Sequence, residues 1–172
     1  LGDSRNWTDV TFLLVFGVAF GYVEAAVVKY LRGLLKFRTN VALAHYHVWL
    51  NLGFLTFVRP AHSVVKGSLG SIETAREAAT IVMLVAISWL AAKRPLQRLA
   101  AFMITFATWD LSYYGWLRVI DHWPLSFFTH DIFFLIPVTW IGPVLTPLII
   151  CTVMLIVGLW LYVREFTSSR GW

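Results

Sequence analysis

Between Ser71 and Ala92 the chain reads SIETAREAATIVMLVAISWLAA, an apolar run whose first turns carry Glu73, Arg76 and Glu77. A lipid-facing helix cannot hold these three formal charges cheaply, since each costs about 2.5–3.5 kcal/mol near the bilayer centre. They must face protein or water. Arg76 follows Glu73 by three residues and Glu77 follows it by four, so a helix draws all three into one polar cluster at one end of the run.

The rest of the composition fits a bilayer. Of 172 residues, 59% are hydrophobic and only 13% charged, and mean hydropathy is +0.72, far from the mix of a soluble domain. At roughly 20 apolar residues per crossing, the length suits four or five spans in a single transmembrane domain, residues 1–172. The net charge of +5 does not point to nucleic acid, because the basic residues gather at span ends. Cys151 is the sole cysteine, which excludes an internal disulfide, and it reads as a packing residue.

In chain order, residues 10–30 form the first span, with Glu24 inside it. This run is too long for a signal-peptide core. Gly17 and Gly21 make a GxxxG step that admits a close helix neighbour, and Glu24 continues the same stripe into the protein. Residues 41–58 are uncharged but diluted by His45, His47, Asn51 and Gly53, and read as a re-entrant or interfacial helix, or alternatively as a fifth span. Ser71 is placed to cap the next helix. Further spans follow at about 72–92, 98–118 and 143–163. From Leu99 to Leu117 Asp110 is the only charge, and Tyr113 or Tyr114 is spaced to hydrogen-bond it. Residues 132–141 read as a second membrane-dipping segment, ended by the Gly142-Pro143 break.

Five spans give the better Lys and Arg asymmetry, yet four spans place Glu24, Glu73, Glu77, Asp110 and Asp131 in one half of the bilayer. Shared burial with Arg76 offsets part of the cost of each acid, so the all-α, four-span bundle is preferred. The short Lys93-Arg94-Arg98 turn then puts both termini in the cytoplasm and the acids toward the outer face.

Such a cluster holds more carboxylates than its one arginine neutralises, an excess relieved by water, a proton or a bound cation. A divalent metal would take Glu24, Glu73, Glu77, Asp110 and Asp131, with His45 and His47 to complete the set. The chain lacks the Glu-x-x-His pairs of di-iron bundles and the His-Glu-x-x-His zinc motif. If the site is catalytic, the acids act as ligands or proton acceptors, Arg76 as charge partner and Tyr113 or Tyr114 as donor. Two other readings stay open: an accessory subunit of a larger membrane complex, and a cation-coupled transporter that works as an oligomer.

The segments FGYVEAAVVKYLR, ETAREAATIVML, FATWDLSYY and DIFFLIPVTWIGPVLTP together resemble a family of small, uncharacterised bacterial integral membrane proteins. The resemblance covers most of the chain outside Thr39 to Gly70. It implies a multi-span helical fold in a bacterial inner membrane and brings no activity with it.

Overall fold

The computed structural model describes residues 2–35, 47–58 and 68–168. Four helices carry most of them: α1 (Gly2–Leu35), α2 (Ser68–Ala91), α3 (Pro95–Asp121) and α4 (Leu145–Ser168). Three contain stretches long and apolar enough to cross a membrane, namely Trp7–Leu34, Gly70–Ala91 and Leu145–Glu165. The fourth, α3, is the central helix. Because α1, α2 and α4 all pack against it, its polar residues can turn toward protein.

Small residues set these contacts. A Cβ on Gly17 would come within 2.7 Å of Thr108 Cβ, and one on Gly21 within 2.7 Å of the Trp109 carbonyl oxygen, so the GxxxG step lets α1 lie directly on α3. The register from Gly17 beside Thr108 to Lys29 beside Asp121 makes these two helices parallel. On the other side, Gly158 of α4 sits against Met103 and the Ala100 carbonyl, while Ser88 of α2 meets Thr105 at 3.2 Å. Pro95 opens α3 at a position that needs no backbone donor.

The start of α1, the α2–α3 turn and the end of α4 share one end of the bundle. There Tyr162 donates to the Ala91 carbonyl at 3.1 Å, and Arg94 approaches Glu165 at 3.9 Å. The opposite end carries an antiparallel sheet of order β1-β2-β4-β3, built from β1 (Val48–Asn51), β2 (Thr56–Val58), β3 (His130–Phe134) and β4 (Thr139–Pro143).

This sheet corrects the all-α expectation and the helical reading of residues 41–58, and it takes in residues 132–141, expected as a membrane-dipping segment, as strands and their connection. Residues 41–46 lie outside the described part; from Val48 onward both segments are hairpins. Their residues are β-branched and aromatic, such as VW, TFV, IFF and TWI, and side chains of this kind pack well on a pleated surface. Gly53 turns the first hairpin with φ +84°, a conformation glycine adopts without a Cβ clash, and its N–H donates to Asn51 Oδ1 at 2.8 Å. The described part of neither segment is helical, and the described residues hold four helices. α2 also begins at Ser68, a turn earlier than the expected cap at Ser71.

Candidate functional site

Glu24 lies one helical turn beyond Gly21, and the close α1–α3 contact holds it in a buried position, 8% exposed. Arg76 reaches it from α2, with Nη1 donating to Glu24 Oε2 at 2.5 Å. The same guanidinium grips Glu73 with two donors, Nε to Oε2 at 3.0 Å and Nη2 to Oε1 at 2.5 Å. Thr80 Oγ1 lies 3.5 Å from Nη1. One arginine thus joins two acids and bridges α1 to α2.

Glu77, also 8% exposed, takes a different partner. Its Oε2 accepts the backbone N–H of Leu135 at 2.8 Å, which ties α2 to the connection between β3 and β4. Glu77 still lies within electrostatic reach of Glu73, Arg76 and Glu24. The expected grouping of Glu24, Glu73, Arg76 and Glu77 is therefore present, with Glu77 beside the ion triad rather than inside it.

The remaining expected members have partners of their own. Asp110 accepts the Cys151 thiol at 3.3 Å and feels Asp131 and Glu24 only through space. The expected phenol on Asp110 is corrected: Tyr114 donates instead to Asp131 Oδ2 at 3.1 Å, because strand pairing in β3 carries Asp131 over α3. Tyr113 stacks edge-on against Tyr114 at 4.8 Å. Burial pushes the Asp131 carboxyl up to about 6, against the opposing pull of Arg32 and the Tyr114 hydroxyl. His47 is exposed at the start of the first hairpin, and His45 lies outside the described residues.

A second ionic cluster escaped the sequence reading. Lys29 and Arg32 of α1 both bind Asp121 at the end of α3, Arg32 at 2.9 Å, and the Arg32 guanidinium covers the Trp123 ring at 4.1 Å. Burial works to raise Asp121, but the hydrogen bonds and charges of Lys29 and Arg32 outweigh it and hold the carboxyl below its ordinary range. The available signal was the parallel α1–α3 packing, which follows from the glycine step only once the partner helix is known.

Among the described residues, no three of the His, Cys, Asp and Glu side chains gather as metal ligands. The acids face an arginine, a backbone amide, a thiol and a phenol, each a donor that occupies carboxylate lone pairs. The arrangement is suited to holding charge and protons, with no convergent ligand set. No family model, no curated protein and no solved structure matches this chain.

Proposed function

We propose that the chain is a multi-pass membrane protein whose Glu24–Arg76–Glu73 triad, with Glu77 beside it, forms an intramembrane proton-binding site. α3 is then the fourth crossing, over about residues 98–118. The sheet lies at the outer face of a bacterial inner membrane, and both ends of the chain face the cytoplasm. One observation carries the reading: a single guanidinium serves two carboxylates, Glu24 and Glu73, a third, Glu77, lies beside them, and Glu24 and Glu77 are almost fully withdrawn from solvent. Full ionisation would leave excess negative charge in a poorly solvated place, and a proton is the smallest cation that relieves it. A proton also needs no convergent ligand set, unlike the divalent metal.

Infrared difference spectra of the reconstituted protein across a pH step test this. A protonated-carboxyl C=O band should change with pH, and should shrink in Glu77→Gln or Glu24→Gln while Asp110→Asn leaves that component in place. A spectrum with no such band, or one indifferent to both glutamate substitutions, would sink the proposal. It would favour the accessory-subunit reading, which the bridge from α1 to α2 also supports: there the triad only fastens two helices.

A further inference from the structure

Glycine inside a helix destabilises it relative to alanine, so a mid-helix glycine calls for a reason. Gly17, Gly21 and Gly158 have one, since each lies against a neighbouring helix. Gly115, in α3, has nothing within 4 Å of where its Cβ would be. Gly33 shares that openness, but it sits in the last turns of α1, where glycine costs little.

Gly115 opens onto a groove of about 650 Å³ between α3, α4 and the connection that follows α3. Leu111, Val144 and Leu148 give it an apolar floor, and Arg118 stands on its rim. The Arg118 Nη1 donates to the carbonyls of His122 at 2.7 Å and Pro124 at 3.2 Å, which fixes the guanidinium in place. No described acid neutralises it: Asp121, three residues on, is engaged by Lys29 and Arg32, and Asp131 is buried against Tyr114. Beside the rim, Leu125, Phe127 and Phe128 are 78%, 62% and 71% exposed, an apolar tip of the kind that enters a bilayer interface.

We infer that this groove holds one acidic phospholipid, with its phosphate at Arg118 and an acyl chain lying over Gly115 along the floor. The charge complementarity is that of an anionic head, and the notch beneath it is apolar and unused by the chain itself. A second helix is a poorer occupant, because the residues four before and four after Gly115 are Leu111 and Val119, which lack the small-residue spacing that close helix pairs use. The inference rests on the chain spanning a bilayer and is independent of the proton site.

Native mass spectrometry of the purified protein, supplied with phosphatidylglycerol and phosphatidylcholine of matched chains, tests it. Wild type should retain the acidic lipid preferentially, and Arg118→Gln should cut that preference about tenfold. Gly115→Phe should reduce retention of both lipids with the melting temperature unchanged or raised, since no protein atom occupies the space. Retention by both variants equal to wild type would overturn the inference. So would displacement of the lipid by inorganic phosphate alone, or dissociation of a wild-type oligomer by Gly115→Phe, which would assign the notch to a second copy.

Discussion

Arg76 shows how one side chain can make several unfavourable burials tolerable together. Glu24 and Glu73 each gain a charge-assisted partner, and that partner is a planar fork whose donors suit carboxylates. Its contribution to net stability is not the point, since desolvation of buried ions can match their attraction. Asp131 lies outside the candidate spans and is a cleaner titration case. Its folded value of about 6 exceeds the ordinary aspartate value of about 3.9, so the folded protein holds the proton more tightly than the unfolded chain. That stability is fully present below about pH 4 and is lost as pH rises through about 6, a difference on the order of 3 kcal/mol. Asp131→Asn should remove it. Thermal melts at pH 5 and pH 7.5 should converge in the variant relative to wild type; an identical pH response in both proteins would refute the assignment.

At the level of elements, the α1–α3 contact organises the site. Gly17 and Gly21 bring the backbones together, Ser112 Oγ donates to the Gly17 carbonyl at 3.2 Å and Trp116 Nε1 to the Val18 carbonyl at 3.1 Å. Glu24 and the Lys29–Asp121 pair follow along the same seam. Gly21→Val should force these helices apart, because the side chain would meet the Trp109 backbone, which cannot rotate away. The expected cost is about 2 kcal/mol or more, read as a lower melting temperature, whereas Gly115→Ala serves as the helical glycine control that does not destabilise. Equal effects at the two positions would show that the seam is not packed as described. The sheet has the complementary role at the end of the bundle. Its β3–β4 hairpin supplies Leu135 to Glu77 and Asp131 to Tyr114, so a segment far from α2 in sequence completes the surroundings of the acids.

For the whole molecule, four helices place the start of α1 and the end of α4 together and the sheet opposite them. Cysteines introduced at Lys93 and at Gly53 should react with a membrane-impermeant reagent from opposite sides of sealed vesicles, the buried Cys151 staying silent; labelling of both from one side would contradict four crossings. The apolar runs, the stripe from Gly17 through Gly21 to Glu24, and the grouping of Glu73, Arg76 and Glu77 were all legible in the sequence, because helical periodicity fixes which residues share a face. Hydropathy likewise marked three helices long and apolar enough to cross a membrane, since a crossing demands a continuous apolar stretch. The fate of Asp110 and Asp131 was not legible: choosing between a tyrosine four residues away and a cysteine forty-one away depends on how helices and strands meet. The hairpins were hidden for the same reason, because short apolar segments carry no periodicity that separates strand from helix until a partner strand supplies the hydrogen bonds.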